Sequence, residues 1–387
     1  MVLLPTLGTK TLSGEPLPVA LHRSAIHDVH VLFGVLVGGA GQRLSQTHSE
    51  QDFQDFIKVQ VRLAALVRKN IELGTITDGV LFAILALSIK RNDYTANLSP
   101  SERYAGGFRS PVKAVGGLDW LGGIELAADH IGMLTTLIGN LLSTSQPISP
   151  GLREYMQMAD LLRASLTLTR PEIELSESYL AVLSNEAQTI RPPVQDAAAF
   201  DVDPLLRDIL LDIKLTCRLI NKYSGSIPFD SQTSKFVQYR DLIQYRLLCL
   251  SPGKDDLCRL AALIFNYGVI FPISDPRPIW KLTKELYFAI LNPGIIAHES
   301  REFMLWVAII GGIAATGREL HHVFVTLVAQ YANALRLHDW SAVLQVLERY
   351  LWLDLACGDS GRDLWMAAVK LMNPSTRDHE SGLLLVL

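Results

Sequence analysis

Residues 301–365 read REFMLWVAIIGGIAATGRELHHVFVTLVAQYANALRLHDWSAVLQVLERYLWLDLACGDSGRDLW, and this stretch decides the fold. Ser300 is placed to cap a helix in which Phe303 to Ile310 is apolar on every side, the mark of a segment buried all round. Gly311 and Gly312 lower helix propensity and let another stretch of backbone come close. After Gly317, the spacing of Leu320, Val323, Phe324, Leu327, Val328, Tyr331 and Leu335 predicts a second helix with one apolar face. Asp339 or Ser341 can cap a third, carrying Val343, Val346, Leu347, Tyr350 and Leu351. Asp354 then falls at its C-terminal end, where an acid opposes the helix dipole and calls for a hydrogen-bond partner. Three successive amphipathic helices make a packing core, and no catalytic signature lies in them.

Outward from that core, the same periodicity runs back through the chain. Helices are expected over 51–73, from Thr77 or Asp78 to Lys90, over Ile124–Leu142 and Arg153–Leu168, and from Pro171 to the prolines at 192 and 193. Asp203-Pro204 and Asp275-Pro276 each pair a capping acid with a proline and so start two more. Further helices are expected near 235–250 and 255–268, while Val29–Val37 suits either a helix or a buried extended piece. No run alternates with period two, so the expected fold is all-α: a large multi-helix bundle or solenoid-like array of helix pairs, without sheet beyond an incidental bridge. The expected organisation is an irregular arm over 1–20, one helical domain over 21–372 with 190–204 as an internal loop, and a tail over 373–387.

Composition narrows the function. Hydrophobic residues make up 49% and charged ones 19%, so the core is large. A net charge of −4 and a pI near 6.2 leave no polyanion-binding footprint. The basic groups Arg62, Arg68, Lys69 and Arg103, Arg109, Lys113 read as solvated helix faces. The four cysteines lack C-x-x-C spacing and read as buried, reduced thiols. His27 and His30 stand three residues apart but lack a third metal ligand, and no cofactor is called for. No basic start followed by an apolar core opens Met1–Pro18, and the longest apolar runs are too short to span a bilayer, so an intracellular protein is expected.

Motifs for catalysis are not found: there is no nucleophile elbow, zinc-protease helix, Walker loop or dinucleotide fingerprint. Gly106, Gly107, Gly116, Gly117, Gly122 and Gly123 suit helix ends and tight turns rather than a phosphate loop. The acid–base pairs Asp129-His130, His298-Glu299 and His338-Asp339, with the pair His321-His322, are sequence neighbours. On a helix such side chains diverge by about 100°. Asp129 and His130 are the first catalytic candidates, as the adjacent acid and base on a strongly apolar helix.

Two blocks carry a family resemblance. The first holds Leu305, Trp306, Gly311, Gly312, Ile313, Ala314, Ala315 and Gly317, followed by Tyr350, Leu351, Trp352 and Asp354. The second holds Tyr104, Gly107, Phe108, Val112, Gly116, Gly117 and Leu118, and Ala128-Asp129 adds a weaker match. Together they resemble the C-terminal regulatory domain of the fungal-specific transcription factors, the zinc binuclear cluster regulators of filamentous fungi. The likeness spans roughly residues 50–370. Three departures show: Trp340 precedes Ser341 where the family more often has the reverse, Pro111 replaces a long apolar residue, and Val115 replaces an arginine. The resemblance implies a nuclear regulator linked to secondary-metabolite genes. The family's six-cysteine zinc module has no counterpart here, since the first cysteine is Cys217. No sequence-specific DNA binding by the chain itself is then expected. It would work as a homodimer, or as a heterodimer with a DNA-binding regulator, with a hydrophobic small ligand between its helices. The alternative is an enzyme on the same scaffold, a cofactor-free cyclase of the pericyclase kind, acting in the cytoplasm. Such reactions need chiefly shape and desolvation and leave no motif.

Overall fold

A computed structural model describes residues 17–99, 101–104, 106–143, 150–175, 199–223, 231–296 and 298–372. In chain order the helices of the first half are α1 (Leu17–His27), α2 (Val29–Thr47), α3 (Glu50–Glu72), α4 (Asp78–Leu87), the short α5 (Asp93–Ala96) and α6 (Leu118–Leu121), α7 (Ala128–Ser143) and α8 (Pro150–Thr167). The second half holds α9 (Pro204–Tyr223), α10 (Ser231–Cys249), α11 (Asp256–Val269), α12 (Arg277–Ile290), the short α13 (Pro293–Ile296), α14 (Arg301–Ala314), α15 (His321–Ala334), α16 (Trp340–Leu347) and α17 (Asp354–Met372). Caps start these helices as their chemistry requires. Ser49, Thr77, Ser300 and Asp339 accept from the backbone N–H three residues on, and Asp28 from that of His30.

Neighbours in sequence pack as pairs: α2 against α3 and α4, α9 against α10, α11 against α12, α14 against α15. Two helices form the centre. Every residue of α14 from Phe303 to Ala314 is buried, as is α11 from Leu257 to Val269 apart from half-buried Arg259, and the two helices touch. Large apolar side chains buried this way stabilise by about 1.5–3 kcal/mol each before entropy is counted. Trp306, fully buried, stacks on Tyr350 at a centroid distance of 5.6 Å and meets Phe200 edge-on at 5.7 Å. Gly311 and Gly312 make room for the Phe324 ring of α15 and for Leu364 of α17: a Cβ would come within 2.3 and 2.5 Å of them.

The fold is all-α, and several local expectations are corrected. Ile89–Arg91 and Ile124–Leu126 form a two-stranded antiparallel sheet, β1 and β2, with Lys90 opposite Glu125. The helix from Asp78 therefore stops at Leu87, and the one expected from Ile124 begins at Ala128. α1 starts inside the expected arm, and its partner α2 begins after Asp28, so His27 and His30 are not on one helix. Instead His30 sits between Asp28 and Asn70, its Nε2 2.7 Å from the Asn70 amide. Pro171–Leu175 is irregular instead, with the N–H groups of Glu172 and Ile173 donating to Asp160. The rest of that expected helix, most of the 190–204 loop, the arm before residue 17 and the tail from 373 lie outside the described residues.

Asp354 is the largest correction. The third helix ends at Leu347: beyond it Arg349 and Tyr350 donate to carbonyls only three residues back, and the Leu351 carbonyl turns to accept from the Trp306 indole N–H at 2.9 Å. Asp354 thus opens α17 instead of closing α16, is exposed, and sits where the dipole favours an acid without further partners.

Candidate functional site

The site starts from a backbone conformation. Gly106 has φ +69°, and a Cβ there would lie 2.5 Å from the Ile313 carbonyl oxygen. A glycine is the residue that permits both the left-handed turn and so close an approach. The loop that follows straps helix ends together. Gly107 N–H donates to Ile313 C=O at 2.8 Å, and the Ser110 hydroxyl donates to Val269 C=O at 2.6 Å. Both acceptors lie in the last turns of α14 and α11, where carbonyls lack partners within the helix. Arg109 N–H donates to Ala356 C=O, the Ser360 hydroxyl donates to Gly107 C=O, and Arg109 pairs with Asp359 at 2.7 Å. The Phe108 ring lies on Gly268, whose Cβ, if present, would be 2.4 Å from it.

Facing this loop is the corner between α11 and α12. Buried Asp275 accepts from Arg277 and, at 3.1 Å, from the amide of Asn92, which also donates to Gly122 C=O. Arg277 reaches Glu125 of β2 at 3.0 Å and lies over the Tyr94 ring. The short strands thus pin the corner from behind. Between corner and loop is a half-open cavity of about 340 Å³, with Tyr104, Phe108, Lys113, Tyr267, Ile273 and Ile279 among its walls. That volume falls within the roughly 300–1,000 Å³ of small-molecule sites.

Part of its rim is polar. Burial, with the Asp119 carboxylate adding to it, pushes the Tyr104 phenol up to about 12. Burial also raises Asp119, against the pull of Lys113. The Lys113 ammonium lies 5.7 Å from the centre of the Tyr104 ring. Such a rim can hold a proton on the phenol and offer a cation. Among the described residues it contains no nucleophile set against a base.

Other features lead elsewhere. A smaller concavity of about 230 Å³ near the start of α11 contains Asp203, Asp255, Asp256 and Arg259, with Arg259 paired to Asp256 at 2.6 Å. Among the described residues no group of three or more His, Cys, Asp or Glu side chains could hold a metal ion. No described helix is long and apolar enough to cross a membrane. All four thiols are free, and burial raises those of Cys217, Cys258 and Cys357.

The residues singled out in the sequence fall into two sets. Gly107, Trp306, Gly311, Gly312, Trp352 and Asp354 belong to, or pack around, the C-terminal layer onto which the loop docks. Trp352 meets Trp340 edge-on at 6.1 Å, and both cross Gly361 of α17. Gly116 and Gly117 form the tight turn before α6, Gly117 at φ +76°. Beside them, where the resembled family carries an arginine, the Val115 carbonyl accepts from buried Arg240, which reaches in from α10. Asp129 and His130 are not brought to the cavity. They occupy the first turn of α7, Asp129 exposed and His130 half-buried. Arg103, Arg109 and Lys113 are loop residues rather than a helix face, Arg103 lying against His48. Tyr267, Ile273 and Ile279 were unreadable as a site in sequence, since apolar side chains at helical spacing signal only a core. Compared with known proteins, the chain matches no family model, no curated protein and no solved structure.

Proposed function

We propose that this chain is a regulator of the kind it resembles, the helical regulatory domain of fungal-specific transcription factors. It acts through protein partners, as a homodimer or beside a DNA-binding subunit in the nucleus, and it responds to a small ligand. The observation that carries the reading is the junction of the two resembling blocks: the loop from Gly106 docks on Ile313 and Ala356, and the cavity opens under that loop. A ligand held there would touch the loop and the α11–α12 corner at once, and so would bias how they pack. Arguing for binding over catalysis, Asp129 and His130 stand apart from the cavity.

The test is deletion in the organism of origin, with transcripts and metabolites measured together. The regulatory reading expects transcripts of a set of biosynthetic genes to change. Unchanged transcripts with one late intermediate accumulating would overturn it in favour of the cyclase-type enzyme. Purified protein added to that intermediate would then convert it.

A further inference from the structure

We propose that the cavity under the Gly106 loop takes a small aromatic anion, its acid group on Lys113 and its flat body against Phe108, Tyr267 and Ile279. This names a ligand class for the site proposed above and rests on that reading.

The cavity wall carries one carboxylate, Asp275, and Arg277 and Asn92 already engage it. It carries two cations. Arg109 is committed to Asp359, whereas Lys113 forms no ion pair among the described residues. Asp119 acts on Lys113 only through space, beyond ion-pair distance. Lys113 is held over the Tyr104 ring by a cation–π contact, which leaves its donors free for an incoming acid. The Tyr104 phenol, kept protonated by burial, can add a hydrogen bond to the same acid. Behind that polar edge the walls are aromatic and aliphatic: Phe108 and Ile279 are buried, and the Tyr267 hydroxyl is spent on Ser165 C=O at 2.6 Å. Tyr267 therefore presents a ring rather than a donor. One cationic edge and an apolar, ring-lined interior suit a flat acid better than a neutral lipid, a sugar or a cation.

The probes are 8-anilinonaphthalene-1-sulfonate, a flat aromatic anion, and N-phenyl-1-naphthylamine, its uncharged counterpart. Each is titrated by fluorescence into the full chain. The sulfonate is expected to bind saturably near one equivalent, and Lys113→Glu to weaken it about tenfold or more, the worth of a charged contact. The uncharged probe should not respond to Lys113→Glu, nor the sulfonate to Lys370→Glu in the last turn of α17, at the far end from the loop. Ile279→Trp, which fills the cavity, should abolish both signals in protein that still unfolds in one cooperative transition. If Ile279→Trp blocks both probes but Lys113→Glu leaves the sulfonate unaffected, the assignment of an anion is overturned and the cavity reading survives. If neither variant alters binding, the cavity reading falls with it.

Discussion

Trp306 does two jobs at once. Its ring fills the centre of the C-terminal layer between Tyr350, Phe200 and Phe303, and its N–H holds the Leu351 carbonyl out of the helix before it. Trp306→Ala would leave both a cavity and an unsatisfied carbonyl. It should destabilise the protein by about 3–5 kcal/mol in equilibrium urea unfolding, and a loss below about 1 kcal/mol would mean the ring is not buried as described. Asp119 illustrates the opposite sign. Its folded-state pKa is raised by burial, so the fold is favoured while the carboxyl is protonated, and that contribution is lost as pH rises through the folded value. Asp119→Asn should therefore melt higher than wild type at about pH 8. The difference should fade toward about pH 3, where the ordinary carboxylate is itself largely protonated. Melting curves of the two proteins at both pH values decide it.

Among the elements, the loop from Gly106 joins the two resembling blocks, and its glycine can be tested against a control. Gly106 and Gly74 both have positive φ, +69° and +65°, but a Cβ at Gly74 meets nothing within 4 Å. Gly74→Ala should cost about 1–2 kcal/mol of backbone strain. Gly106→Ala adds a collision with the backbone of Ile313 and Ala314, and should cost about 1–3 kcal/mol more. Equal losses in urea unfolding would show that the loop does not dock there. The helices were readable in sequence wherever caps and period agreed, as at Ser300, Asp339 and the face made by Leu206, Ile209, Leu210, Ile213, Cys217 and Ile220, all of them buried. They were misread where a tertiary contact outbid the local pattern. Leu351 gives its carbonyl to Trp306, and Ile124 pairs with Arg91. Neither of these partners is signalled by spacing along the chain. The cavity was hidden for the same reason: Tyr104 and Ile279 meet through folding, and each alone looks like an ordinary core or loop residue.

At the scale of the whole molecule, one apolar core runs from Leu21 to Ala368, with α11 and α14 at its centre. The cavity lies where the first half, through Tyr104 and Lys113, is laid across the end of that centre. On this account the molecule works by what fills that junction, not by a reaction carried out at Asp129 and His130. The most direct test replaces Ile279 by Trp at the gene's own locus in the organism of origin, after melting confirms that the variant folds, and measures transcripts. The account expects the transcript changes of full deletion to be reproduced with the protein still present at normal abundance. A wild-type transcript profile in that strain would contradict it.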